Sequence, residues 1–409
     1  MSEQNPGPLA GVRVLDLTRI LAGPTCTQLL GDLGADILKI ERPGEGDDTR
    51  HWGPPYLKDK NGRDSHESGY YLASNRNKRS VAVDIAQPEG QALVRRLLKD
   101  CDVLVQNFKA GGLAKYGLDY ESLKADFPRL VYGSISGFGQ TGPYADQAGY
   151  DYLAQGQGGI MSITGEPDGA PIKVGIGISD VVCGLYAAVA VLAALRHRDA
   201  TSRGQHIDLA LLDSTVAWLV NVGVDHLLTG ELPRRLGNAH PNIVPYQLLA
   251  TKDGYFTLAV GNDSQFRKFC EFAGHPEWAG DERFRANSSR VRNRAILMPL
   301  IEAVAKTRAT RDWVEGLAAL GVPAGPVNDV AQVFRDPQIL HREMKISVPD
   351  PEAQGGAVPL IGNPLKLSET PVSYRRPPPR LGQHTDEVLR ELLGLSDADL
   401  ARLRAAGVI

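Results

Sequence analysis

Short runs of β-branched and aliphatic residues, separated by helix-length connections, constrain the fold of this chain more than any other feature. "VRVLDL" (12–17) leads through "PTCTQLLGDLGA" to "DILKIE" (36–41). "SVAVDI" (80–85), "PEGQALVRRLLKDC" and "DVLVQNF" (102–108) repeat the unit, and "RLVYGSISGF" (129–138) adds another strand. Parallel strands need long crossovers, usually helical, so the spacing predicts βαβ units and an α/β fold on a parallel sheet. The strands are almost wholly apolar, as expected where helices cover both faces. Residues 48–77 are polar and rich in Gly, Pro and charge, and are expected to run over the surface.

From about residue 250 the texture changes. "DGYFTLAVG" reads as a strand, followed by amphipathic helices over 263–274 and 290–320 with Trp278 and Phe284 as anchors. The chain has 409 residues, 42% of them hydrophobic, enough for more than one core. The expected division is a large domain over 1–224, a smaller α+β domain over 225–340, and a linker with C-terminal helices over 341–409 returning to the large domain. "RRPPPR" reads as the extended linker and a capped helix begins near Thr385.

Forty-five Lys+Arg against 48 Asp+Glu give a net charge of -3, with no electrostatic footprint for nucleic acid. Cys26, Cys101, Cys183 and Cys270 are far apart, without CxxC or zinc spacing, which suits a reducing cytoplasm. The start, "MSEQNPGPLAGVRV", does not read as a signal peptide. The longest apolar run, Val181 to Leu195, is short and Ala-rich for a membrane span and reads as a buried core helix, so no membrane is expected as a partner. "GIGISD" (175–180) puts Asp180 where a dinucleotide fingerprint needs its third glycine. "GSISG" has Ile135 in place of an elbow serine, no HExxH occurs, and His206 reads as structural. No metal site and no permanently bound cofactor are expected.

Several stretches then stand out. Arg42 and Arg50 lie where loops leave the sheet, a common location for ligand contacts. "QNFKAGGLAKYG" (106–117) sets Asn107 and Phe108 ahead of a Gly-rich turn with Lys109 and Lys115. "GYDYLAQGQGG" (149–159) mixes aromatic, acidic and glycine residues; Tyr150, Asp151 and Tyr152 suit a core cluster, and the glycines suit close backbone approach. In "GISDVVCG", Asp180 opens an apolar helix, where an Asp is by default a cap; it is alternatively a reactive carboxylate.

Together these stretches, with "NRNKRSVAVD", "TSRGQHIDLALLDS" and "GVPAGPVND", resemble the class III CoA-transferase family along nearly the whole chain. "LGNAHPNIVPYQ" (236–247) is similar to its dicarboxylate-using branch, with succinyl-CoA as donor. The resemblance implies a Rossmann-like large domain, a smaller domain and a homodimer of interlocked rings. It implies that coenzyme A enters as acyl-CoA substrate, with a small carboxylic acid as second substrate. It implies Asp180 as the nucleophile and Ile20, Arg42, Asn107, Phe108, Lys115, Tyr116 and Tyr150 along the CoA site. Leu21 stands near the thioester, where one family member has glutamine. Gly158, Gly159, His240, Asn242 and Tyr246 are candidates for lid or acceptor contacts.

Two alternatives stay open: an α-methylacyl-CoA racemase or epimerase, and a CoA-binding protein without catalysis. The racemases carry "GHD" where this chain has "GYD", and Tyr150 in place of histidine leaves a two-base proton transfer hard to staff. The presence of Asp180 disfavours the non-catalytic reading. For the transferase, the amides at the start of the helix are expected to keep Asp180 ionised and to hold an oxyanion, with Ser179 as the cap.

Overall fold

The computed structural model describes residues 7–409; the hexapeptide before them, part of the stretch read as lacking a signal peptide, lies outside the described residues. The strands of the first half are β1 (Arg13–Leu17), β2 (Asp36–Glu41), a hairpin of β3 (Tyr56–Lys58) and β4 (Asp64–Ser68), β5 (Lys78–Ala82), β6 (Val103–Gln106), β7 (Val131–Ser136) and β8 (His206–Ala210). Six of them form one sheet in the order β5-β2-β1-β6-β7-β8, every pair parallel. The chain winds from β1 outward to β5, then returns to the other side of β1 with β6. That reversal is the topological switch of a doubly wound sheet, and a crevice opens there at the carboxyl ends of the strands.

Consecutive strand residues face opposite sides, and both sides are filled. Val14, Ile37 and Val103 belong to one core with Cys26, Leu30 and Val191. Leu15, Leu38 and Leu104 belong to the other, with Leu93, Leu97 and the C-terminal residues Val388, Leu389, Leu400 and Leu403. The first core is built from the helices Ala22–Asp32 and Ile178–Thr201, which pack so tightly that a Cβ on Gly184 would sit 2.5 Å from the Ala22 carbonyl oxygen. Only glycine fits that crossing.

Several local expectations need correction. The strand expected over 80–85 runs over Lys78–Ala82, because its backbone pairs with Ile37–Glu41 of β2. The Ile178–Thr201 helix is not buried all round: Leu185, Tyr186, Val189 and Leu192 leave one apolar flank exposed. The Pro-rich tail is a strap rather than a free linker, since Pro379 is buried and its carbonyl accepts from Arg50 and from the Tyr71 hydroxyl. The helix Thr385–Leu393 has no side-chain cap, whereas Ser396 and Asp399 form a capping box before Asp397–Ala405.

By internal contacts the chain divides into two compact units. The first runs to Ile160 and takes in Lys173–Val224 and Gln338–Ile409; the second comprises Met161–Ile172 and Asp225–Pro337. The first also carries the hairpin of β12 (Lys345–Pro349) and β13 (Ala357–Ile361). The second has an antiparallel sheet of β9 (Tyr246–Ala250), β10 (Tyr255–Ala259) and β11 (Ala324–Pro326), ordered β11-β10-β9. Trp313 stacks on Phe256 and Phe269 in its core, and Trp278 and Phe284 are buried beside them as expected.

Candidate active site

A cleft of about 560 Å³ opens at the switch point, within the first unit. Its walls come from strand ends: Arg19 and Ile20 after β1, Asn107 and Phe108 after β6, and Ser136 and Gly137 at the end of β7. Tyr150 and Asp180 line it too, as do Lys115 and Tyr116. Several separated stretches of sequence thus meet at one place because the sheet reverses there.

Asp180 sits in the first turn of the Ile178–Thr201 helix and is only 8% exposed. The amides around it are already used. Asp151 Oδ1 accepts from the Ser179 N–H at 2.7 Å and the Asp180 N–H at 3.3 Å. Ile178 N donates to the Ile176 carbonyl and Val181 N to that of Gly177. The Asp151 Oδ2 accepts from Gln155 Nε2 at 2.7 Å. The capping residue is therefore Asp151, from the neighbouring helix Asp151–Gln157. Ser179 does not cap; its Oγ accepts from Thr215 Oγ1 at 2.7 Å.

This arrangement reverses the expected electrostatics. The helix amides hold the Asp151 charge, so they neither solvate Asp180 nor remain free for an oxyanion. Burial, and after it the negative charge of Asp151, pushes the Asp180 carboxyl up to about 7. Tyr70, which sequence reasoning missed, is likewise pushed up to about 12 by burial and then by Asp180 and Asp151. Its ring meets that of Trp52, also missed and a lining residue of the cleft, at 5.1 Å. Both lie in the 48–77 segment, where composition signals only a surface excursion.

A second cavity of about 540 Å³ continues from the first; Arg19, Asp48, Phe108 and Tyr116 line both. Arg42 belongs to this second cavity, not to the one holding Asp180, and pairs with Glu45 at 2.9 Å while staying well exposed. Arg19 pairs with Asp48 at 2.9 Å, and its guanidinium lies 5.7 Å from the Phe108 ring centre. Lys115 Nζ lies 4.7 Å over the Tyr116 ring. Asn107 lines the first cavity, and its amide also clamps the Arg19 backbone, accepting at 2.9 Å and donating at 2.7 Å.

Arg50 is no ligand contact. It is buried against Glu41, Glu67 and the Tyr71 ring, tying the 48–77 segment to β2. Tyr150 and Tyr152 are exposed and form no core cluster. Gly158 and Gly159 end the Asp151–Gln157 helix, and a Cβ at Gly158 would lie 2.6 Å from Thr215 Cγ2, so they form a packed corner rather than a lid. His206 stacks on Tyr120 and bonds Ser134 at 2.8 Å, a structural role. His240, Asn242 and Tyr246 lie in the second unit, where the His240 and Tyr246 rings are 5.2 Å apart. Among the described residues no cluster of His, Cys, Asp and Glu could hold a metal.

A doubly wound sheet with two adjoining cavities at its switch point, and one buried carboxyl with raised proton affinity lining the first, is the arrangement of an α/β enzyme's active site. Comparison with known proteins supplies the family. The family model for CoA-transferase family III matches residues 9–385, and the chain belongs to that family. It is 49% identical over 386 residues to a succinate–glutarate CoA-transferase from Agrobacterium fabrum, covering 94% of this chain and 96% of that protein. It is 41% identical to the succinyl-CoA:glutarate CoA-transferase of Homo sapiens, covering 99% and 90%. The crystal structure of a CAIB/BAIF family protein from Brucella suis superposes with a TM-score of 0.84 at 50% identity, covering 95% of this chain and all of that one.

The raised Asp180 pKa has a measurable consequence for stability. The neutral acid is favoured in the fold, so ionising Asp180 destabilises it. The penalty is absent below the ordinary value of 3.8, grows as pH rises toward 7, and is complete above. Three units correspond to about 4 kcal/mol at most. Asp180→Asn should therefore raise the thermal midpoint over wild type at pH 8, with the gain vanishing as pH approaches 4; equal midpoints at both pH values would contradict it.

Proposed function

We propose that the chain moves CoA from succinyl-CoA to a glutarate-like dicarboxylate, with Asp180 as covalent nucleophile. The carrying observation is the placement of Asp180: one buried carboxyl of raised proton affinity lining a cleft of about 560 Å³ that adjoins a second cavity of about 540 Å³. The two named relatives support the substrate pair.

The chemistry divides into four exchanges at acyl carbon. The Asp180 carboxylate attacks the thioester carbonyl, a C–O bond forms, the C–S bond breaks, and CoA leaves as thiolate from a mixed anhydride. The thiolate attacks the aspartyl carbonyl of that anhydride, giving an aspartyl-CoA thioester and releasing succinate. The acceptor carboxylate attacks this thioester, again expelling thiolate and forming a second anhydride. The thiolate then attacks the acceptor's carbonyl, giving the new acyl-CoA and regenerating Asp180. No water or net proton is consumed, and excluding water protects the anhydrides.

Within this reading the Asp180 cavity holds the thioester and the Arg42 cavity the nucleotide end of CoA. Lys115, Arg19 and Arg42 supply positive charge along the route, and Phe108 and Tyr116 apolar surface. The homodimer, interlocked as the family resemblance implies, is supported by the exposed flank Leu185, Tyr186, Val189 and Leu192. Four free cysteines agree with a reducing cytoplasm. A racemase finds little support: among the described residues no histidine lines the Asp180 cavity, and both Asp151 oxygens are committed to hydrogen bonds.

Incubation with succinyl-CoA and a panel of dicarboxylates, followed by mass spectrometry of the CoA esters, tests the reading. Transfer should be strongest to glutarate-like acids and abolished in Asp180→Ala, and hydroxylamine should convert Asp180 to its hydroxamate. No transfer to any acid, or full activity in Asp180→Ala, would sink it. The pH dependence is also set: kcat/KM for succinyl-CoA should fall with an acid limb near pH 7. Asp151→Asn removes the like charge yet keeps an acceptor for the amides, so the limb should move to lower pH; an unmoved limb would rule out electrostatic coupling between the two carboxyls.

A further inference from the structure

The turn between β1 and the helix Ala22–Asp32 contains a backbone outlier. Ile20 has φ +72, in the left-handed region that β-branched residues strongly avoid. Such strain persists only where the surroundings over-determine the conformation. Here they do, through side chains that meet the backbone of three successive residues.

Thr18 N donates to Asp16 Oδ1 at 2.8 Å, and the Thr18 carbonyl accepts from Lys39 Nζ at 2.8 Å. Both polar groups of the Arg19 backbone are held by Asn107. Ile20 N donates to Asp47 Oδ1 at 3.2 Å. Asp47 is in turn immobilised: its Oδ2 accepts from Lys39 Nζ at 2.9 Å, and its Oδ1 also accepts from Thr49 N and Oγ1. The Asp47 and Lys39 side chains are fully buried. Burial alone would raise the Asp47 carboxyl, but Lys39 and the Thr49 bonds bring it down to about 2, so it is an anion throughout the working range.

The turn leads directly into the cleft. Ile20 lines the cavity with Asp180, and the next residue, Leu21, reaches the start of the nucleophile's helix. A Cβ built on Gly177 would lie 3.2 Å from Leu21 Cδ2 and 3.6 Å from the Asp151 carboxyl carbon. Leu21, Gly177 and Asp151 are thus packed together at the point where Asp180 enters its helix.

We infer that the buried Lys39–Asp47 ion pair is a positioning device: it holds Ile20 in the left-handed turn and thereby seats Leu21 against the N-terminus of the Asp180 helix. Both side chains are fully buried, so the pair acts through the backbone it holds rather than by presenting a charge to substrate. Without the tether the turn relaxes, because isoleucine has no intrinsic reason to stay at positive φ, and the cleft wall opposite Asp180 loses its fixed position. A left-handed residue of this kind would then populate the working conformation about tenfold less.

The test rests on the transferase reading and uses the full-length chain with succinyl-CoA and glutarate. Lys39→Met/Asp47→Leu removes the pair and the acceptor of the Ile20 N–H without leaving a lone buried charge. Asp47→Glu keeps the charge but displaces the oxygen that meets Ile20 N, and serves if the first variant folds poorly. For the folded variant we expect kcat to drop about tenfold, in proportion to the lost turn population, with KM for succinyl-CoA little changed. Adding Ile20→Gly should recover most of the loss, since glycine takes positive φ without steric cost. Wild-type kcat in a folded tether variant would overturn the inference, as would a failure of Ile20→Gly to improve it. Absence of transfer in the wild-type protein would instead overturn the transferase reading.

Discussion

The chemistry of the cleft depends on where the first amides of the Ile178–Thr201 helix go. A helix N-terminus ordinarily offers unpaired N–H groups and a partial positive charge to whatever anion stands there. Here Asp151 has taken both, bonding the Ser179 and Asp180 amides. Asp180 is left buried beside a second carboxylate, and its proton affinity rises accordingly. A carboxylate so placed is a poor resting anion and a good nucleophile. Every covalent state proposed for it, anhydride or thioester, is uncharged at this residue. Burial and the Asp151 charge therefore penalise the free carboxylate but not its acyl adducts, which biases the site toward the covalent step.

The surrounding scaffold is stiff for a related reason. Lys39, Lys78, Asp16, Asp47, Glu41 and Arg50 are all buried within the first unit, and each has a counter-charge or several hydrogen bonds. Lys78 shows what this requires: burial lowers it to about 8 despite the Asp16 charge. Removing one member would strand another in a medium of low polarity, so the group moves together or not at all. Strand ends, the Ile20 turn and the Arg50 segment are thereby fixed around one crevice, while the substrate route itself stays partly open.

Much of this was legible in the sequence, for identifiable reasons. The strand–helix alternation carries its own signal, so the parallel sheet and its two covered faces follow from apolar spacing. Asp180, Ile20, Asn107, Phe108, Lys115, Tyr116 and Tyr150 meet in one cleft because all lie at strand or helix ends near the switch. The division of labour at Asp180 was not legible. Ser179 is the local candidate for a cap, but the true cap comes from a residue 28 positions away, and sequence spacing says nothing about which distant carboxylate wins the amides. Arg50, at a loop leaving the sheet, reads as a candidate for ligand contact, yet Glu41 and Glu67 draw it inside. The Ile20 strain had no signature at all, since isoleucine is the residue least expected at positive φ.

The central claim, that Asp180 becomes covalently acylated through its own oxygen, is tested most directly by isotope transfer. Glutarate labelled with ¹⁸O in its carboxylates should leave one labelled oxygen on Asp180 when the second anhydride is cleaved at the acceptor's carbonyl. The peptide containing Asp180 would then carry the label after turnover with succinyl-CoA, and no other peptide would. Glutaryl-CoA formation with unlabelled Asp180 would contradict covalent catalysis by this residue.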